Sequence, residues 1–186
     1  MLNELYQKIR DAFTDRELVL GEGNERADIM LIGEAPGRTE VELGRPFVGK
    51  AGKNLDMFLA HIRLRREDIY ITNCVKFRPT RISEWGSVAN RPPTPEEILA
   101  QRDFLMEEIN IIDPKVLVTL GGVPLKSVMN DMGASIGAFH GRPCTGKSGR
   151  TLFPLYHPAS IIYKRELAAT YEKDMDRLAE YISALG

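Results

Sequence analysis

The sequence predicts an α/β fold: a three-layer sandwich with a central four-stranded parallel sheet and helices on both faces. Four short apolar segments of strand character alternate with longer segments of helical periodicity, which is typical of parallel strands joined by helices. The chain has 186 residues, of which 43% are hydrophobic, enough to bury one core. We therefore expect a single domain over residues 1–186.

Each predicted element rests on its own pattern of apolar residues. Apolar residues form a run at residues 27–32, as in a buried strand, and dominate three further predicted strands at residues 68–75, 116–120 and 151–156. They recur every three or four positions, as in helices, at residues 3–13, 53–62, 95–111, 124–132 and 167–185. Thr94, followed by a proline and two glutamates, is typical of a helix start. The glycine-rich and proline-rich stretches at 33–52 and 77–95 are predicted loops.

Charge and cysteine content narrow the class of protein. The net charge is -1, yet residues 69–83 and 132–165 contain no acid. A basic face that binds a polyanion is compatible with this distribution, and so is ordinary solvated charge. The chain has no run of about eighteen apolar residues and no signal-peptide pattern at its start, so we expect no membrane partner. Its two cysteines are too few for a disulfide framework, which favours the cytoplasm.

Residues 33–52 (GEAPGRTEVELGRPFVGKAG) are the first candidate site. A glycine-rich loop directly after a buried strand lets the backbone approach a ligand closely. Glu34 and Glu40 would repel a phosphate, and they suit a developing cation or a water to be activated. Phe47 is a candidate stacking platform for a planar ring. The alternative, a core phenylalanine with solvated glutamates, fits the pattern equally well.

Two further candidates follow predicted strands. Asn73 ends the second strand, where its amide would offer a donor and an acceptor to a base edge. Asparagines that simply end a strand through local hydrogen bonds are more common. His157 follows the fourth strand and suits an oxygen that gains negative charge, although a single histidine is more often structural. Both residues lie where parallel sheets carry their working groups, past the carboxyl ends of the strands.

Residues 141–148 (GRPCTGKS) fit the spacing of a Walker A phosphate-binding loop. That loop requires a strand before it and a helix after it. Here the preceding segment is weak for a strand, and the extended segment TLFPLY follows. We therefore expect no nucleotide hydrolysis, and we interpret the segment as a basic turn and a candidate contact for a phosphate backbone.

The motifs GEAPG, PFVGKAG eight residues later, ITNCVKFRP and HPAS, taken in order, resemble those of the uracil-DNA glycosylase superfamily, and of its family 4 in particular. The resemblance covers roughly residues 21–164. It implies a hydrolase of base excision repair that flips uracil out of DNA and hydrolyses its bond to the sugar. The implied partner is DNA that contains uracil, and we expect the protein to be a monomer.

The sequence departs from family 4 at the four cysteines that usually hold a 4Fe–4S cluster in that family. The first pair is expected where the chain reads Phe13-Thr14-Asp15-Arg16, the third at Phe77 and the fourth near Gln101. Such a cluster needs four thiolates. We therefore predict that the protein binds no iron–sulfur cluster, metal or other cofactor, and that apolar packing around Phe77 replaces the cluster.

The resemblance assigns roles in base recognition. It implies that Phe47 stacks on the flipped uracil, that Asn73 reads the edge distinguishing uracil from cytosine, and that main-chain groups near Ala35 also bind the base. His157 is expected to donate a hydrogen bond to the uracil O2 as negative charge grows there. A neutral imidazole is sufficient for this role.

The resemblance is less direct about the residues that activate the water and those that contact DNA. Because other branches carry Asp or Asn where this chain has Ala35, a neighbouring acid must act on the water; Glu34 is slightly preferred to Glu40. The segment after His157 is expected to contact DNA, with candidates at Ser160, Ile162, Lys164 and Arg165. The alternative that Ile161 and Ile162 belong to the core of the next helix is equally open.

Two other functions remain compatible with the sequence. One is a glycosylase for another deaminated base, such as hypoxanthine or xanthine, because an amide can read several base edges. The other is a non-catalytic module that binds DNA.

Overall fold

The computed structural model describes residues 1–185 and confirms the α/β fold. The strands are β1 (Glu22–Gly23), β2 (Ile29–Gly33), β3 (Tyr70–Asn73), β4 (Thr80–Ile82), β5 (Val88–Asn90), β6 (Val116–Leu120), β7 (Cys144–Thr145) and β8 (Thr151–Leu155). Six of them form one mixed sheet in the order β1-β3-β2-β6-β8-β7, and β4 and β5 form a separate hairpin.

The four strands at the centre of the sheet are the four that the sequence predicts. β3, β2, β6 and β8 pair in parallel. β1 and β7 each add a short antiparallel strand at one edge, so the sheet is larger than predicted and mixed. These edge strands have two residues each, too few for a period of apolar residues to reveal them.

Helices cover both faces of the sheet. They are α1 (Leu2–Ala12), α2 (Arg38–Leu43), α3 (Lys50–His61), α4 (Pro95–Ile112), α5 (Gly122–Met129), α6 (Ile136–Phe139), α7 (Ser160–Tyr163) and α8 (Leu167–Ala184). α1, α4 and α5 share one buried cluster with Met30 and Ile32, whereas α3 and α8 share the other with Ile29 and Leu31. The alternation of these β2 residues is what a strand buried on both faces requires. None of the described helices is long and apolar enough to cross a membrane.

Both predicted loops contain regular structure, which corrects the sequence interpretation. Residues 33–52 include α2 and the start of α3, and residues 77–95 include the β4–β5 hairpin. The start of α4 is as predicted: the Thr94 hydroxyl accepts from the Glu97 N–H at 3.3 Å, and the Glu97 carboxylate accepts from the Thr94 N–H at 2.8 Å.

The sheet brings the predicted site residues to one edge. Gly33 and Asn73 are paired in register at the ends of β2 and β3. The Gly121 N–H, just after β6, donates to the Leu155 carbonyl at the end of β8 at 2.8 Å. The loops that leave these four strands therefore start side by side, where parallel sheets bind their ligands.

Candidate active site

A cleft of about 480 Å³ opens at this carboxyl edge. It is lined by six residues singled out from the sequence: Ala35, Glu40, Phe47, Asn73, His157 and Ile162. A smaller adjoining cavity, about 200 Å³, shares Ala35 and His157 and adds Glu34. The remaining candidates, Ser160, Lys164 and Arg165, belong to neither lining. The fold thus gathers the proposed base-binding and catalytic groups in one place.

Asn90 lines both cavities, and sequence reasoning missed it. It ends β5, where it is the pairing partner of Thr80, and its Oδ1 accepts from the Arg78 Nε at 2.6 Å. Its position depends on how the hairpin folds back, for which no apolar period gives a signal. Lys50, at the start of α3, adds a cation to the lining that was also not foreseen.

A larger concavity, about 820 Å³, lies elsewhere, between the α6 region and α8. His140 on its wall binds the buried Asp174 through Nδ1 at 2.5 Å. His61, on the surface, is likewise paired with Asp176 at 2.7 Å. Both histidines have structural partners, and neither lines the cleft or the adjoining cavity. The smaller cleft, where groups from several strand ends converge, is therefore the candidate active site.

Phe47 is both a core residue and a wall of the cleft. Its side chain is 5% exposed and belongs to the cluster beneath α3 and α8. Its backbone has φ 53°, a left-handed conformation that is costly for a bulky residue. Arg66 holds this turn by donating to the carbonyls of Pro46 and Phe47, each at 2.8 Å. A Cβ on Gly33 would lie 2.4 Å from the ring, so the ring depends on a glycine beneath it.

Asn73 presents an unsatisfied acceptor at the cleft. The residue is 2% exposed, and its Oδ1 is buried without a hydrogen-bond partner among the described residues. Its main-chain carbonyl accepts from the Lys76 ammonium at 2.8 Å, which fixes the backbone that carries the amide. Buried acceptors are usually satisfied, so an unpaired one beside a cavity is typical of a ligand-binding group.

His157 is held as a neutral donor. Its Nδ1 accepts from the Ala159 N–H at 3.1 Å, which leaves the proton on Nε2. Burial lowers the pKa of His157 to about 4, although the nearby Glu40 carboxylate acts in the opposite direction. The imidazole ring lies 5.9 Å from the Phe47 ring, measured between centroids. A planar ligand held against Phe47 would therefore find an uncharged N–H donor at the same site.

The carboxylates of Glu34 and Glu40 differ in their hydrogen bonding. Glu40 is committed to the backbone: it accepts from the N–H groups of Gly37, Val48 and Gly49 at 3.1, 3.0 and 2.7 Å. It thereby joins the start of α2 to the start of α3. Glu34 has no such partners among the described residues, and burial raises the pKa of its carboxyl group. Of the two, Glu34 is the group free to exchange a proton.

The segment after His157 divides between core and surface. Ile161 packs against the core cluster, as one alternative held, whereas Ile162 is 43% exposed and lines the cleft with Tyr163. Lys164 and Arg165, which follow α7, are exposed. The apolar side chains at the rim are therefore Ile162 and Tyr163.

The turn at residues 145–150 lies away from the cleft. It precedes β8 and so occupies the amino edge of the sheet, opposite His157. Lys147 donates to the Asn130 carbonyl at 2.9 Å, and Arg150 binds Asp113 at 2.9 Å. Because it runs from one short strand into another, it lacks the strand-to-helix geometry of a Walker A loop. Its position at the edge opposite the cleft gives no support to the expected contact with the DNA backbone.

The positions where family 4 carries cluster cysteines hold a packed aromatic group instead. The rings of Phe13 and Phe77 are 6.0 Å apart, those of Phe13 and Phe104 6.1 Å, and the Arg16 guanidinium lies 4.8 Å above Phe77. Gln101 is fully buried, and its Oε1 accepts from a main-chain N–H at 2.7 Å. These residues do not fit a 4Fe–4S cluster, which takes thiolate ligands.

Neither cysteine of the chain substitutes for the missing ligands. Cys74 is fully buried, and this burial raises the pKa of its thiol to about 12, so it stays protonated. Burial also raises the pKa of Cys144. Among residues 1–185, no group of three His, Cys, Asp or Glu side chains is placed to hold a metal ion.

Comparison with known proteins identifies the family. A model of the uracil DNA glycosylase superfamily matches residues 20–185. A type-4 uracil-DNA glycosylase from Archaeoglobus fulgidus is 40% identical over 174 residues, which cover 90% of this chain and 83% of that protein. One from Thermotoga maritima is 38% identical, over 91% of this chain and 85% of its own.

A solved structure supports the fold. The crystal structure of SMUG2 from Pedobacter heparinus matches with a TM-score of 0.59 over 86% of this chain and 76% of its own, at 16% sequence identity. At that identity the likeness concerns the fold alone. With the family model spanning the site and the relatives matching nearly the whole chain, the chain belongs to the uracil DNA glycosylase superfamily.

Proposed function

We propose that this protein excises uracil from DNA by hydrolysing the bond between the base and its sugar. The observation that carries the proposal is the unpaired, buried Oδ1 of Asn73 at the cleft. An unpaired buried acceptor lowers stability unless a ligand satisfies it. The N3–H of uracil would do so, whereas cytosine has a lone pair at that position. The names of relatives matched over most of the chain support the same substrate.

His157 would stabilise the departing base. Breaking the bond leaves negative charge on the base, and a donor aimed at an oxygen of the base lowers the barrier. The Nε2–H of the neutral ring is such a donor, and Phe47, less than 6 Å away, would hold the base against it. Main-chain groups at Ala35, in the same lining, would contact the base as well.

Glu34 would act on the water and on the positive charge of the sugar. Its carboxylate has no partner among the described residues, and its raised pKa suits proton transfer. Glu40 would serve catalysis indirectly, by holding the loop that carries Phe47. Glu34 and His157 border the same small cavity, so Glu34 would act on the water next to the base that His157 stabilises.

The exposed residues after His157 would hold the DNA. Ile162 at the rim is placed to occupy the space that the flipped base leaves. Lys164 and Arg165 would contact phosphates, together with the Ser160 hydroxyl. The expectations of a monomer and of a cytoplasmic protein stay predictions.

Excision from a labelled oligonucleotide with one uracil, followed by alkali and gel electrophoresis, tests the proposal. We expect scission by the wild type and a loss of about a hundredfold or more in Asn73→Ala and His157→Ala. Asn110→Ala and His61→Ala are matched controls, because both residues are exposed and distant from the cleft. Undiminished scission by Asn73→Ala would remove the base-reading role.

The same assay with other bases separates the alternatives. Scission of hypoxanthine or xanthine DNA, with uracil DNA left intact, would transfer the proposal to another deaminated base. Tight binding of uracil DNA without scission under several salt conditions would favour a binding module.

A further inference from the structure

The β4–β5 hairpin carries an exposed apolar face beside the cleft. Trp85 at its tip is 93% exposed, and Ile82 and Val88 are 74% and 55% exposed. Ile82 and Val88 are direct pairing partners, so their side chains project from the same face of the hairpin. Apolar side chains clustered at a surface are typical of a binding site.

This face is continuous with the cleft. Side chains alternate along a strand, so Asn90 lies on the same side as Val88, its neighbour two positions away. Asn90 itself lines the cleft and the adjoining cavity. A chain that leaves the cleft at Asn90 would meet Val88 and Ile82 next and Trp85 last, about 15 Å further on at about 3.3 Å per residue.

The hairpin is held firmly at its base and closed tightly at its tip. Arg91 binds the Thr80 carbonyl at 3.0 Å and makes a two-point ion pair with Glu97 of α4, both bonds at 2.7 Å. At the tip, the N–H groups of Gly86 and Ser87 donate to Ser83, at 2.9 and 3.0 Å. Trp85 is thus displayed on a structured turn.

The hairpin carries more cations than acids, which favours a nucleic acid over a protein as the partner. Arg78, which donates to the Asn90 side chain, lies on this side of the hairpin, Arg81 projects from its other side, and Glu84 is the single acid between Thr80 and Asn90. Exposed aromatic rings interleaved with cations bind unpaired bases by stacking, whatever their sequence.

We propose that the β4–β5 hairpin is a second DNA-binding element, on which Trp85 stacks an unpaired base of the strand that leaves the cleft. The inference rests on the proposed function for the identity of the strand. It assigns this enzyme a substrate requirement that the cleft alone does not set: single-stranded DNA that extends several nucleotides beyond the uracil.

Fluorescence tests the contact without any excision. Trp85 is the one tryptophan of the chain, so intrinsic emission reports on this site. Titration with a uracil-free single strand of about twenty nucleotides should quench and shift the emission, with weaker binding at higher salt. This measurement does not depend on which base the protein excises. Failure of the proposed function would be seen separately, because the wild type would then not cut uracil DNA.

Excision kinetics test the role. In Trp85→Ala, the KM for a single strand of about twenty nucleotides should rise about five- to tenfold, with kcat unchanged. The KM for a strand of about four nucleotides should not change, because it ends before the tip. Trp85→Phe should recover much of the loss, and Met132→Ala is the control, an exposed apolar residue near the opposite edge of the sheet. Unchanged emission with DNA, or an equal effect on short and long strands, would overturn the proposal.

Discussion

Replacing Lys76 with methionine should destabilise the protein strongly. Lys76 and Glu108 form an ion pair at 2.5 Å in which both side chains are fully buried. Glu108 also accepts from the hydroxyls of Tyr6 and Tyr70 at 2.9 and 3.0 Å, and from Thr72. In Lys76→Met the carboxylate stays buried and loses its only ionic partner within the described residues, at a cost of about 3–5 kcal/mol in the free energy of unfolding.

The corresponding thermal shift follows from the size of the chain. Unfolding 186 residues near 60 °C has an entropy of about 0.4 kcal/mol/K. A loss of about 3–5 kcal/mol should therefore lower Tm by about 8–13 °C. Circular dichroism on heating, with urea unfolding at fixed temperature, measures both quantities.

A surface pair on the neighbouring residue provides the control. Lys8 binds Glu107 at 2.9 Å with both side chains partly exposed, so Lys8→Met should change stability by about 0–1 kcal/mol. Glu108→Gln added to Lys76→Met removes the unpaired charge and keeps an acceptor for the tyrosines, so the double variant should be more stable than Lys76→Met alone. A Tm for Lys76→Met equal to that of Lys8→Met would refute the reasoning.

Three other perturbations test the site and the core. Gly33→Ala should reduce excision about a hundredfold, since the new Cβ would lie 2.4 Å from the Phe47 ring; a folded variant that cuts normally would contradict this. Because burial lowers the pKa of His157 to about 4, its ring stays neutral at higher pH, and kcat/KM should show no inflection near pH 6.5. The acidic fall in rate should instead come from Glu34 and disappear in Glu34→Gln. Phe77→Ala should lower the free energy of unfolding by about 3–5 kcal/mol, measured by urea titration, and a change below about 1 kcal/mol would show that this ring contributes little packing.

The central sheet could be predicted because burial on both faces leaves a clear trace. β6, with five buried residues, is predicted to the residue, and the other three central strands within two positions at either end. Once these strands are parallel, their carboxyl ends must meet, so the position of the candidate site followed from the same pattern. The order of the sequence motifs then indicated which residues belong to the candidate site.

The remaining features depend on contacts that leave no periodic trace. α2 has only six residues and one buried side chain. It begins where the Glu40 carboxylate accepts a hydrogen bond from the Gly37 N–H, a contact that the sequence does not reveal. The strands of the β4–β5 hairpin have three residues each and no buried side chain, so no buried apolar period reveals them in the sequence. Asn90 reaches the cleft only because that hairpin folds back, and a sequence pattern cannot show it.

Phe47 shows why the alternatives posed from sequence were not truly exclusive. Core packing and base stacking were set against each other, yet one ring is buried in the core cluster and also lines the cleft. The arrangement works because Gly33 leaves room beneath the ring and Arg66 secures the left-handed turn that carries it. A stacking surface so constrained has little conformational freedom to lose when a base arrives, which favours binding. For a flipped base, the rigidity of the core is thus part of how the site would recognise its ligand.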